Sequence, residues 1–287
     1  MPEKPSLRIP VYVALALLAF AANSLFCRWA LLVHSMDALL FTCIRLGSGA
    51  LLLSLLCFYR HKGEKARAHP AGGISLLVYA LCFSLAYTAL STGTGALILF
   101  ASVQLSLMAW MAIKGENMTR YQLSGMACAL AGLVYLCLPS LTAPPLWAAL
   151  LMGLAGIAWA VYTRIGQQLQ QPALLSNSRH FLLAALLCLP ALLFAHWQQA
   201  NLPGILLAIA SGTLASALGY ALWYQALPAL RPFSAAVLQL TVPLLAAVLG
   251  ILVLGEQTTF TLLLASGLIL GGILLSLRGK RDAVQSK

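Results

Sequence analysis

Six carboxylates, one deeply placed histidine and two arginines are the residues whose chemistry stands out against the apolar background of this 287-residue chain. The acids, Glu3, Asp37, Glu64, Glu116, Glu256 and Asp282, fall in tails or at the ends of apolar segments. No carboxylate pair is therefore spaced for acid–base chemistry or for a proton relay inside such a segment. HExxH and GxSG nucleophile motifs are both missing, which makes an intramembrane enzyme a remote reading. His180 reads as a hydrogen-bonded packing histidine, with a proton relay as the alternative. Arg28 lies near the end of its segment, within reach of lipid headgroups. Arg45 lies about 8 residues into its segment, roughly 12 Å at helical rise. It either attracts a substrate carboxylate or pins a helix contact. The seven cysteines lie in apolar segments without a CxxC, and read as packing residues rather than disulfides or metal ligands.

Aromatic stripes offer more. Tyr79, Phe83, Ala86 and Tyr87 share a helical face, as do Tyr220, Trp223 and Tyr224, and as do Trp159 and Tyr162. Stripes of this kind usually pack or face lipid. Their distance from the headgroup level and their recurrence at equivalent positions favour the wall of a path for an amphipathic solute. Trp147 and Trp197 instead suit the interfacial aromatic belt. Ser24, Gln104, Ser211, Thr213, Ser216 and Thr241 need helix partners or a wet cavity. Asn23 and Gln239 are the preferred cavity residues, because neither amide is easily satisfied by its own backbone. The candidate substrate-binding set is thus Asn23, Arg45, Tyr79, Phe83, Tyr87, Trp159, Tyr162, His180, Tyr220, Trp223, Tyr224 and Gln239. No cofactor is expected.

The elements that must position these residues are transmembrane helices. The chain is 61% hydrophobic and 8% charged, with a mean hydropathy of +0.92, against about 25% charged for soluble domains. Segments long enough to span the hydrocarbon core fall at 11–33, 37–59, 72–91, 94–113, 120–138, 146–165, 174–195, 204–226, 232–254 and 258–277. With the N-terminus in the cytoplasm, all but two of the 17 basic residues lie on the cytoplasmic side, the exceptions being Arg28 and Arg45 within spans. That asymmetry follows the positive-inside rule and argues for ten spans with both termini inside. It also argues against nucleic acid as the partner of the +11 net charge, since the charges sit on separate short loops. The first span resembles a leader, but cleavage would invert the charge bias of all that follows.

Five spans precede the uncharged linker Pro139–Pro145 and five follow, dividing the chain into residues 1–139 and 140–287. An odd number of spans per half inverts one half relative to the other, an arrangement that places a binding site near the midplane between them. Internal similarity agrees. Gly115-Glu116 recurs as Gly255-Glu256, 140 positions on, and Phe83, Ala86, Tyr87, Ala89 and Leu90 match Tyr220, Trp223, Tyr224, Ala226 and Leu227 at an offset of 137. The two Gly-Glu pairs read as markers of span ends; Glu256 has no basic residue in its own loop. Gly47, Gly49, Gly93, Gly95, Pro190, Pro228, Pro232 and Pro243 are candidate hinges. Spans 5 and 10, rich in glycine, read as scaffold or as a homodimer contact.

The run from Pro243 to Glu256, followed by Gly267-Leu-Ile-Leu-Gly-Gly272, resembles the last two helices of EamA-like ten-helix exporters of the drug/metabolite transporter superfamily. Asn23 through Trp29, Arg45 and Trp159-Ala-Val-Tyr162 fit the same resemblance. Tyr87 through Leu99 is most similar to the bacterial aromatic amino acid exporter branch. One departure is Val103, which stands where the equivalent helix has Pro243. The resemblance implies an all-α inner-membrane carrier that exports small amphipathic metabolites, amino acids including aromatic ones foremost. Its partners would be a small-molecule substrate and membrane lipid; separately, the placement of the six acids favours transport without obligatory proton coupling. A proton-driven multidrug exporter is the alternative.

Overall fold

In the computed structural model, residues 8–61, 69–113, 119–137, 143–168, 171–227, 230, 238–239 and 241–285 are described. Among these residues the chain is helical and has no strand. The helices are α1 (Arg8–Leu32), α2 (Ala38–Arg60), α3 (Pro70–Tyr87), α4 (Thr92–Ile113), α5 (Arg120–Cys137), α6 (Leu146–Gln168), α7 (Ala173–Cys188), α8 (Leu202–Ala226), α9 (Thr241–Leu254) and α10 (Phe260–Gln285). Seven are long and apolar enough to cross a membrane by length and composition: α1 to α4, α6, α7 extended to Leu193, and α8. Two shorter apolar stretches, Thr241–Leu254 and Phe260–Ser276, follow. The Gly-Glu pair at 115–116, Pro228 and Pro232 lie outside the described residues.

Local sequence explains the helix ends. Asp37 caps α2, its carboxylate accepting from Leu39 N and Leu40 N, both at 2.9 Å. Asn201 caps α8 through Gly204 N at 2.9 Å and ties the cap to the α1–α2 turn by donating to His34 O at 2.7 Å. Pro70 opens α3, where its missing N–H costs no helix bond. At Pro190 α7 tightens into a 3-10 turn, Leu189–Leu193, at one of the expected hinges. The middle of α8 widens into a π-helix over Ser211–Leu218, a local form found often at functional sites. Gly255, at φ +65, gives α9 a left-handed cap in which its N–H reaches Ile251 O at 3.2 Å.

Helix contacts follow a regular scheme. α1 packs on α8 and α9, α2 on α7 and α8, α3 on α6 and α7, and α4 on α6 and α9. α5 and α10 pack chiefly on each other. Exchanging each helix for the one five places along returns the same set of pairs. Where α2 crosses the π segment, a Cβ on Gly212 would lie 2.2 Å from Arg45 O, so only glycine allows that approach. The residues brought together there include Arg45.

Candidate functional site

Arg45 sits on α2, 1% exposed, at the junction of α1, α2, α3 and α8. Its Nε donates to Ser216 Oγ at 3.1 Å, and its Nη2 to Tyr220 OH at 3.1 Å and Tyr79 OH at 3.3 Å. The guanidinium carbon lies 5.2 Å from the centre of the Tyr79 ring and 5.0 Å from that of Phe83, a cation–π geometry. Nη1 has no hydrogen-bond partner among the described residues. All the partners are neutral. Burying a cation without a counter-charge costs several kcal/mol, so this is an expensive feature to maintain for packing alone.

Asn23 on α1 knits the same junction. Its Nδ2 donates to Tyr79 OH at 3.2 Å, while its Oδ1 accepts from Ser211 Oγ at 2.7 Å and Ser216 Oγ at 3.5 Å. Tyr79 and Ser216, 137 residues apart in sequence, therefore both touch Asn23 and Arg45. Beside them a small cavity of about 10 Å³ is lined by Phe20, Asn23, Tyr79, Phe83, Trp159 and Tyr220, among others. The volume suits one water at most. Trp159, from α6, closes the wall, with ring centres 5.1 Å from Tyr79 and 4.7 Å from Tyr220. Its Nε1, like Arg45 Nη1, is buried without a partner among the described residues.

The remaining candidates spread toward the two ends of the bundle. Tyr87 packs edge-on against Phe83 and donates to Thr92 O at 3.2 Å. Toward the end that bears His69, Tyr162 donates to Asn177 Oδ1 at 2.5 Å, and Tyr224 donates to Tyr162 O at 3.1 Å. Trp223 is buried edge-on against Phe20. Gln239 is buried as well. His180 meets the edge of Tyr162 and lies over Gly72, with neither ring nitrogen hydrogen-bonded among the described residues. The hydrogen bond expected of it is thus missing among the described residues. The sequence reading overlooked Phe20, which touches Trp159, Tyr220 and Trp223 at 5.8 Å each. Its position three residues before Asn23, on the same helical face, was the available signal.

A second constellation lies at the opposite end, near Asp37. There the reading of Glu256 as a bare span marker needs correction. Both Glu256 oxygens approach Thr92 N, at 3.0 and 2.9 Å, and Oε1 lies 3.5 Å from Arg28 Nε. Arg28 turns inward instead of toward headgroups, and its Nη1 donates to Tyr87 O at 2.8 Å and Thr88 O at 3.1 Å. The cation thus meets the C-terminal carbonyls of α3 and the anion meets the N-terminal amide of α4, each complementing a helix dipole. Gly255 makes this possible by turning the chain so that Glu256 folds back on its own helix, Glu256 N reaching Gly250 O at 3.2 Å. Next to this latch lies a cavity of about 280 Å³, lined by Arg28, Ser91, Thr94, Gln257 and Thr259 among others.

Apolar helices of membrane-spanning length around a buried polar junction define a multi-pass membrane transporter. The EamA-like transporter family model matches this chain twice, over residues 7–138 and 146–278, and the chain belongs to that family. It is 44% identical over 278 residues to uncharacterized protein PA1977 of Pseudomonas aeruginosa, covering 96% of each chain. An uncharacterized transporter of Archaeoglobus fulgidus is 27% identical over 71% of this chain and 72% of its own length. The uncharacterized transporter YoaV of Bacillus subtilis is 23% identical over 85% and 88%. A crystal structure at 18% identity superposes with a TM-score of 0.65, over 94% of this chain and 98% of the other, which establishes likeness of fold.

Proposed function

We propose that this transporter is a ten-span, alternating-access carrier of the bacterial inner membrane, exporting small amphipathic metabolites with amino acids, aromatic ones included, as the leading substrates. Two inverted five-helix repeats, with both termini in the cytoplasm, form the carrier. The double family match and the exchange-invariant helix packing support the doubling. One observation carries the functional reading: a buried Arg45 with a spare nitrogen, framed by Tyr79, Tyr220 and Ser216 beside an aromatic wall. The arginine meets a carboxylate and the rings meet an apolar side chain. The cavity of about 10 Å³ beside them must widen to take such a substrate. With the Asp37 end outside, the Arg28–Glu256 latch closes the outer route. Rocking of the two halves opens one route as it shuts the other.

Counterflow of radiolabelled amino acids into proteoliposomes loaded with unlabelled ones tests the reading. Saturable exchange with at least one aromatic amino acid is expected. Absence of exchange with every amino acid, alongside movement of some other metabolite, would overturn the substrate assignment. Transport is expected to proceed without a proton gradient, because Asp37 and Glu256 are committed at helix ends and Asp282 lies near the C-terminal end of α10. Uptake that tracks an imposed pH gradient and vanishes on replacing His180 would favour the proton-driven alternative.

A further inference from the structure

The unspent hydrogen-bonding groups at the central junction are unequal in kind. Arg45 Nη1 and Trp159 Nε1 are donors with no partner among the described residues. The acceptors beside them are already engaged. Tyr79 OH receives both Asn23 Nδ2 and Arg45 Nη2, and Asn23 Oδ1 receives two serine hydroxyls. The rings are occupied in part, since Arg45 covers one face each of Tyr79 and Phe83, while Trp159 stacks on Tyr162 at 5.5 Å. An ammonium group brings up to three donors and a positive charge. Here it would meet hydroxyl oxygens that already receive the Arg45 cation, and no carboxylate among the described partners of the junction. A carboxylate brings acceptors and the missing counter-charge.

We infer that the preferred substrate is a net organic anion: a carboxylic acid with an aromatic or aliphatic body and no ammonium group, its carboxylate held by Arg45 Nη1 and Trp159 Nε1. This rests on the proposed carrier function and narrows it, since an amino acid zwitterion becomes the poorer ligand of the same site. Buried polar groups left without partners are the strongest source of discrimination between otherwise similar ligands. Here it is the ammonium that would lack a counter-charge among the described partners. The cavity admits about one water, so the aromatic wall must part to receive such an acid.

Matched pairs of ligands test this with the full-length protein. Each pair is an amino acid and the 2-hydroxy acid of the same side chain, phenylalanine with 3-phenyllactate and leucine with its hydroxy acid. Binding is measured by calorimetry in nanodiscs at neutral pH, and exchange by counterflow in proteoliposomes. The hydroxy acid is expected to bind about tenfold or more tightly than its amino acid partner. Arg45→Gln should abolish that preference, and Trp159→Phe should weaken hydroxy acid binding severalfold while keeping the ring. Equal or tighter binding of the amino acids would overturn the inference and leave the proposed function standing. Exchange of hydroxy acids alone would uphold the inference and remove amino acids from the proposed function. Failure of both members of every pair to bind or exchange would overturn the inference. The ligand comparison is made on the unaltered protein, so it does not depend on the folding of either variant.

Discussion

His180 and Arg45 are both buried polar side chains without a full set of partners, and physical chemistry predicts opposite outcomes for their removal. Buried His180 lies against Tyr162 and Gly72, and neither ring nitrogen has a hydrogen-bond partner among the described residues. Replacing an unsatisfied buried polar group by an apolar one of similar size removes a penalty of about 1–3 kcal/mol. His180→Leu should therefore keep its transport rate and unfold at a higher temperature in detergent; loss of transport with stability unchanged would return His180 to the list of relays. Arg45 is tied to three hydroxyls and two rings, so its loss breaks a network as well as a binding group. At this scale the sequence was informative where spacing repeats. Phe83 and Tyr220 were legible from equivalent repeat positions, and Tyr79 and Trp159 from helical spacing alone; all four line the small central cavity. Phe20 was not, because a lone phenylalanine in an apolar helix looks like any lipid-facing residue until its neighbours are known.

Helix ends carry the structural roles of Asp37 and Glu256. Burial pushes the Asp37 carboxyl up, but hydrogen bonds from Leu40, His196 and Leu39 outweigh it and hold the group below the usual carboxylate range. A lowered folded value means that the stabilisation is present above the ordinary pKa of about 3.9 and is lost as pH falls through the lowered value. Asp37→Ala should cost about 1 kcal/mol as a lost N-cap at neutral pH. The gap in melting temperature from the unaltered protein should close on acidification below about pH 4; a gap that widens there would refute the assignment. His196 Nδ1, 3.1 Å from Asp37 Oδ2, faces the same carboxylate across an exposed loop. Glu256 works on α4 instead. Glu256→Ala should free the Thr92 amide, so hydrogen exchange over residues 88–95 should quicken while that of α5 and α10 stays as it was. An unchanged rate in 88–95 would mean that the latch does not hold the α3–α4 turn. No local reading finds this contact, since Thr92 lies 164 positions from Glu256 and the nearer sequence offers no cation. The turn chemistry of Gly255 was legible; the destination of Glu256 needed the packed fold.

For the whole molecule, α5 decides the topology. The proposed ten crossings rest on the charge asymmetry of the loops, yet α5 has only 18 residues and opens on Arg120, Tyr121 and Gln122. At 1.5 Å per residue it reaches about 27 Å, just short of a typical hydrocarbon core of about 30 Å. Its polar first turn would sit at headgroup level, with Arg120 retained on the cytoplasmic side. Its close pairing with α10 supplies the packing that a marginal span needs in lipid. If α5 crosses, the 143–145 segment lies outside, the second half is inverted relative to the first, and α10 returns the chain to the cytoplasm. If it does not, every later loop changes sides and the basic residues Arg164, Arg179 and Arg278 would face outward, against the positive-inside rule. Phosphatase, active only when exported, should therefore be active when fused after Pro145 and after Thr258. A green fluorescent protein fused after Gln285 should fluoresce in the cytoplasm. An inactive fusion at Pro145 with an active one after Gln285 would remove α5 as a span. The inverted doubling would go with it, because two halves of unequal span number cannot oppose each other across the membrane.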